Sequence, residues 1–196
     1  MKKIGITGGI GSGKTTVCRL FALLGVPTHN SDLVAKTLMR TQPELINGIK
    51  TAFGSEVYGA NEELKTAVLA QKVFGNAAAL RRLNALVHPW VATHFEQWCA
   101  QQQALGKPFV LKEAAIIYEQ NLQKNLDAVL LVYAPETLRI ARTIQRSAMS
   151  YEQVQARIAA QMPDDDKLKL ADYVVFNDET RLVIPQVNQI YAAILA

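Results

Sequence analysis

The 196-residue chain reads as an α/β protein built on a five-stranded parallel sheet. Three observations predict this. Short apolar runs alternate with longer stretches of helical periodicity, the pattern of strands and helices in turn. The runs are mostly apolar throughout, as strands covered on both faces require. The first run passes through a glycine-rich turn straight into a helical pattern.

The strands are expected at 4–7, 26–29, 109–112, 128–133 and 173–176. The first helix, 13–24, places Val17, Leu20, Phe21 and Leu24 on one face. Further helices are expected over 32–39, 43–52, 62–73 and 77–86, then over 89–103, 135–148, 151–161 and 180–195. Pro89 suits a first helical position, so His88 is expected to be extended just before it. Ser150 followed by Gln153 is a capping-box pattern that should open the helix at 151. About eighty residues of wholly helical character separate the second and third strands, too many for one crossover helix. They form a helical insertion, about 32–107, on a core of 1–31, 108–138 and 170–196. A second helical excursion, about 139–169, reads as a mobile flap.

Composition excludes several classes. Hydrophobic residues make up 49% and charged residues 19%, which rules out a disordered chain. The net charge of +4 suits anionic ligands such as phosphates and does not by itself argue for nucleic acid. Cys18 and Cys99 are too few for a disulfide framework and read as free thiols. No stretch approaches the ~18 uninterrupted apolar residues of a membrane span. A soluble cytoplasmic protein is the expectation.

The strongest signal is Gly8-Gly-Ile-Gly-Ser-Gly-Lys14-Thr15, which fits the spacing G-x-x-x-x-G-K-[ST] between a strand and a helix. A phosphate chain carries several negative charges, and the loop must turn its backbone N–H groups toward them. Side chains would obstruct that approach, hence the glycines. The positive end of the following helix adds to the field. Gly9, Gly11, Ser12, Gly13, Lys14, Thr15 and Thr16 are therefore the candidate nucleotide contacts. Lys14 reaches for the outer phosphates, and the Thr15 hydroxyl is the candidate Mg²⁺ ligand.

The loop alone does not separate a kinase from a GTPase or a motor. No Asn/Thr-Lys-x-Asp guanine-reading motif is present. The acidic run Asp164-Asp165-Asp166 follows Met162-Pro163 rather than a strand, so it reads as a solvated helix start. Arg139, Arg142 and Arg146 stand at i, i+3 and i+7 on one helical face, with Arg157 in the next helix. Arginines on a closing flap would stabilise a transferring phosphoryl group and exclude water, which favours a small-molecule kinase. Arg142 and Arg146 are the candidates for that role, while Arg139 and Arg157 suit a solvated face as well. Asp32, just past the second strand, suits a general base for an attacking hydroxyl or a helix N-cap. Trp90 and Trp98 suit core packing, and His29 and His94 show no metal-ligand spacing with the cysteines.

Taken in order, several segments resemble the dephospho-CoA kinase family over nearly the whole chain. They are the phosphate loop, Asp32-Leu-Val-Ala, Leu83-Asn-Ala-Leu-Val-His88-Pro89 and Glu113-Ala-Ala-Ile-Ile-Tyr-Glu119. Arg142-Thr-Ile-Gln-Arg146, Arg157-Ile-Ala-Ala-Gln161 and Ala171-Asp-Tyr-Val-Val-Phe-Asn177 complete the set. The resemblance implies a three-layer P-loop kinase fold with a helical CoA-binding insertion and a helical lid. It implies ATP and dephospho-CoA as substrates, Mg²⁺ as cofactor, and neither nucleic acid nor membrane as partner. In that reading Asp32 is the general base, Asn177 lies near the adenine, and His88 contacts the CoA portion. Two segments depart from the family pattern. Asn30-Ser31-Asp32 stands where Asp-Ala-Asp is commoner, and Lys112-Glu113-Ala-Ala-Ile-Ile-Tyr-Glu119 stands where an apolar strand followed by Pro-Leu-Leu-Phe-Glu is commoner. Glu113 suits a Mg²⁺-bound water and Lys112 a substrate phosphate; a local ion pair at the sheet's rim accounts for both equally well. A kinase of another small metabolite, or a nucleotide-gated binding module, remains open from the residues alone.

Overall fold

The apolar runs become five parallel strands in the computed structural model, which describes residues 1–147 and 149–196. They are β1 (Lys2–Thr7), β2 (Thr28–Asn30), β3 (Phe109–Glu113), β4 (Ala128–Tyr133) and β5 (Tyr173–Phe176). The sheet order is β2-β3-β1-β4-β5. Every pairing is parallel, with Ile6 opposite Glu113 on one side and Leu130 on the other. The order reverses at β1, so the carboxyl end of β1 is the switch point where open α/β sheets bind ligands.

The chain divides into two compact units, residues 1–30 with 102–196, and residues 31–101. In the first, strand alternation sends side chains to two faces. Ile4, Ile6, Phe109, Leu111, Leu130 and Val132 pack beneath α1 (Lys14–Leu23) and α9 (Val183–Leu195), through Val17, Phe21, Val187 and Ile190. On the opposite face Val129 joins Ala114, Ile117 and Tyr118 from the segment after β3. Gly5 faces that side, where an added Cβ would press on Ile117 and Leu126. Past β4 come α6 (Glu136–Arg146), α7 (Tyr151–Ala159) and α8 (Asp164–Leu170). The capping box is present: Gln153 N–H donates to Ser150 Oγ at 3.3 Å, and Ser150 N–H to Gln153 Oε1 at 3.0 Å. Ala148, the expected end of the helix before it, lies outside the described residues.

The second unit holds α2 (Ser31–Thr41), α3 (Pro43–Phe53), α4 (Thr66–Val73) and most of α5 (Ala77–Ala104). Its own core is built from Leu45, Ile46, Ile49, Phe53, Val57, Leu69, Val87 and Val91, with Trp90 packed against them.

Three expectations need correction. The helix expected from 62 begins at Thr66, because Glu62 adopts φ 59 and Tyr58 bridges to Leu64 instead. The two helices expected on either side of His88 are one, α5, with Pro89 in its interior. His88 is therefore helical rather than extended. Proline inside a helix costs roughly 3 kcal/mol. Val87, Val91, Phe95 and Cys99, spaced four apart and all buried, outweigh that by holding one continuous face. Finally, 164–170 forms a helix, as the acidic run suggested, but Asp164 is not solvated: its side chain is 11% exposed.

Candidate active site

The phosphate loop runs from β1 into α1 at the switch point. Gly8, Gly11 and Gly13 adopt φ of 150, 80 and 97, and these values favour glycine. Close neighbours add a second constraint. A Cβ at Gly11 would collide with the Arg139 carbonyl, and one at Gly13 with the Asn177 carboxamide. Lys14 Nζ donates to the Gly8 carbonyl at 2.7 Å and to that of Gly9 at 3.4 Å, folding the ammonium back over the loop. Ser12 is fully buried, and its hydroxyl has no hydrogen-bond partner among the described residues. Thr15 and Thr16 open α1 and are exposed.

Beside the loop stands Glu113, buried at the end of β3. Thr15 Oγ1 donates to its Oε1 at 3.3 Å and Asn30 Nδ2 to its Oε2 at 2.7 Å. The Cys18 thiol also hydrogen-bonds to it, and burial, with the Glu113 charge second, drives that thiol's pKa up. Adjacent strand residues leave opposite faces of a sheet, so Glu113 and its neighbour Lys112, also buried, point apart. A hydroxyl next to a carboxylate is a donor set of hard oxygens, suited to a divalent cation of the Mg²⁺ class. Among the described residues no group of three or more His, Cys, Asp or Glu could hold a metal. A cation here would draw its remaining ligands from phosphate and water.

On the far side of the loop lies Asn177, just past β5. Its Nδ2 donates to the Ser12 carbonyl at 2.8 Å and its own N–H to the Tyr133 carbonyl at 2.8 Å. The Asn177 carbonyl accepts from Arg142 Nη1 at 3.0 Å, while Arg142 Nη2 pairs with Glu179 at 2.9 Å. Arg146 is exposed at the last position of α6, and Arg157 is exposed on α7. Arg139, left open between flap and solvated face, is the buried one. It is 5% exposed, pairs with Asp164 at 3.0 Å, and sits against Gly9. Its partner lies twenty-five positions away, beyond the reach of any helical spacing. Lys167, wholly buried, pairs with Glu119 at 3.2 Å, and Glu119 also accepts the Met162 N–H at 2.7 Å. A cavity of about 300 Å³ is lined by the Arg139–Asp164 pair together with Tyr133 and Gln161 among others.

In the other unit, Asp32 lies exposed in the first turn of α2, two residues beyond Asn30. His88 is half-buried in α5. Trp98 stacks on Phe95 with centroids 6.2 Å apart, a packing role.

A glycine-rich loop with a lysine and a threonine, set at the reversal point of a β2-β3-β1-β4-β5 parallel sheet, places the chain among the P-loop kinases. Solved structures agree at the level of the fold: shikimate kinase from Bacteroides thetaiotaomicron superposes with a TM-score of 0.51 at 14% identity, covering 100% of this chain and 99% of that one. A crystal structure of TT1252 from Thermus thermophilus superposes at 0.82 with 32% identity, covering 99% of this chain and 96% of that one. The family profile for dephospho-CoA kinase matches residues 2–182. The dephospho-CoA kinase of Bacteroides fragilis strain YCH46 is 36% identical over 97% of this chain and 91% of its own length. That of Chlorobaculum tepidum is 37% identical over 98% and 94%. The chain belongs to the dephospho-CoA kinase family, and the family's members are ATP-dependent phosphotransferases.

Proposed function

We propose that the chain transfers the γ-phosphoryl group of ATP to the ribose 3′-hydroxyl of dephospho-CoA, giving coenzyme A and ADP. The observation that carries this reading is the phosphate loop with Lys14 above it and the Thr15–Glu113 pair beside it. Family membership supplies the acceptor. The loop amides and the α1 N-terminus take the β-phosphate, and Lys14 leaves the Gly8 carbonyl to reach the β- and γ-phosphates. Thr15 and Glu113 would hold Mg²⁺. Bound there, it would neutralise charge on the phosphate oxygens. Asn177 borders the adenine side.

Asp32 takes the proton of the 3′-hydroxyl as the new O–P bond forms. The helical unit, with His88, and Lys112 of β3 hold the CoA portion. The 139–169 segment acts as a lid whose Arg142 and Arg146 neutralise the transferring group and exclude water. Arg142 must exchange Glu179 and the Asn177 carbonyl for phosphate oxygens to do so. No helix among the described residues is long and apolar enough to cross a membrane.

Incubation with ATP, Mg²⁺ and dephospho-CoA, followed by mass detection of coenzyme A, tests the reaction. Replacing Asp32 with Asn should lower kcat by about 10²–10⁴-fold with ATP affinity retained. Normal turnover in that variant would remove Asp32 from the general-base role. Absence of coenzyme A with the unmodified chain would overturn the reaction itself.

A further inference from the structure

We infer that Arg139 and Gln161 are positioning residues for the phosphoryl donor, acting through a clamp on the Ile10 peptide of the phosphate loop. Both polar groups of that residue are engaged from outside the loop. Its N–H donates to Gln161 Oε1 at 3.1 Å. Its carbonyl accepts from Arg139 Nη1 at 3.5 Å, the longer of the two contacts. Neither partner is adjacent in sequence; one sits on α6 and the other follows α7.

Arg139 is itself held on several sides. Asp164 pairs with it at 3.0 Å, and its carbonyl accepts the Thr143 hydroxyl at 2.7 Å. That same carbonyl abuts Gly11, and its guanidinium abuts Gly9. The turn of α6 around Arg139 thus forms a wall against the first half of the loop. Gln161 is tethered too, with its Nε2 3.5 Å from the Ala115 carbonyl.

A loop rich in glycine has many conformations open to it, and only a few point its amides at one phosphate. Ordering it at the moment of binding would weaken affinity, whereas ordering it beforehand does not. The clamp provides that prior order. It also places one guanidinium charge beside the polyphosphate, balanced by Asp164 so that the buried cation is not left unpaired.

This rests on the reading that the loop receives ATP phosphates, but its test does not require the transfer reaction. ADP affinity is measured by titration calorimetry on the full chain and on Gln161→Met, Arg139→Met and Arg139→Lys, with melting temperatures alongside. Gln161→Met keeps the side-chain volume and removes the acceptor, so it should fold. We expect ADP affinity to fall about 5- to 10-fold in Gln161→Met and at least as far in Arg139→Met. Lysine lacks the fork that meets Asp164 and Ile10 together, so Arg139→Lys should not restore it. In steady-state assays KM for ATP should rise while KM for dephospho-CoA stays within about twofold. ADP affinity within twofold of the unmodified chain in Gln161→Met would overturn the clamp. So would equal losses for both substrates, the mark of a general structural defect. Should Arg139→Met fail to fold, Gln161→Met decides alone. If the unmodified chain binds ADP but makes no coenzyme A, the proposed reaction falls and the clamp stands on the binding data.

Discussion

Glu113 and Asn30 face each other across neighbouring strands, register partners of β3 and β2, and Asn30 Nδ2 donates to Glu113 Oε2 at 2.7 Å. The carboxamide donates to the carboxylate and adds no second negative charge beside it. On its other oxygen the carboxylate accepts from the Thr15 hydroxyl, so its charge lies beside the second donor proposed for a divalent cation.

Replacing Glu113 with Gln keeps the shape and removes that charge. Loss of a carboxylate that orients or ligates a metal typically costs about 10–100-fold in metal affinity or activity. The Mg²⁺ concentration for half-maximal activity should rise accordingly, and saturating Mg²⁺ should recover part of kcat. A Mg²⁺ dependence identical to the unmodified chain would place Glu113 outside the metal site.

Lys14 offers a cleaner separation of chemistry from folding. Its ammonium is bonded to the carbonyls of Gly8 and Gly9, and Lys14 itself is half-buried in the loop. Lys14→Ala should therefore cost far more in rate than its change in melting temperature implies. Charge stabilisation of a transferring group by one fixed donor is worth about 10²–10³-fold in kcat. A rate assay run beside thermal melting checks both halves of the expectation; a large drop in melting temperature would assign Lys14 a structural role instead.

Much of the sheet was legible because buried parallel strands carry their own signal, a short apolar run such as 128–133 that matches β4 residue for residue. The phosphate loop was legible because its constraint is local: the glycines and Lys14 lie within seven residues. What escaped is what depends on distance along the chain. Arg139 and Asp164 meet only after α6, α7 and α8 have packed, and no periodicity links them. Pro89 misled for the opposite reason. Its local preference was read correctly, but a buried face that continues to Cys99 overrides it. Asp164 reads as a solvated first-turn residue on local grounds and is covered only by the tertiary fold.

That burial has a pH signature. Burial raises the Asp164 carboxyl above its ordinary value of 3.8, and the charges of Arg139, Lys167 and Lys14 offset only part of the rise. The folded chain then binds this proton more tightly than the unfolded chain does. The carboxyl's contribution to stability is fullest below 3.8 and is lost as pH rises through the folded pKa. Asp164→Asn cannot titrate there. The stability of the unmodified chain minus that of Asp164→Asn should fall between pH 3.5 (or below) and neutrality, as read from urea midpoints. A difference that grows with pH would mean that the Arg139 pair, rather than burial, dominates.

Gly11 gives the sharpest test of the wall that α6 raises against the loop. Its φ of 80 lies in the left-handed region, where alanine costs about 1 kcal/mol more than glycine. Strain alone would be a modest defect. The added Cβ would also run into the Arg139 carbonyl and come within 2.6 Å of Thr143 Oγ1. A carbonyl in mid-helix cannot swing aside as a flexible side-chain end can, so either the loop or α6 must move. Movement of the loop turns its amides away from the phosphates. Gly11→Ala should therefore lose ADP affinity by more than about tenfold, well beyond what its change in melting temperature implies. Gly25→Ala is the control: φ there is 79, so the strain is alike, yet nothing lies within 4 Å of the new Cβ. It should lower the melting temperature and leave ADP affinity intact. Equal effects of the two substitutions on ADP binding would mean that backbone strain, and not the contact with Arg139, is what Gly11 relieves.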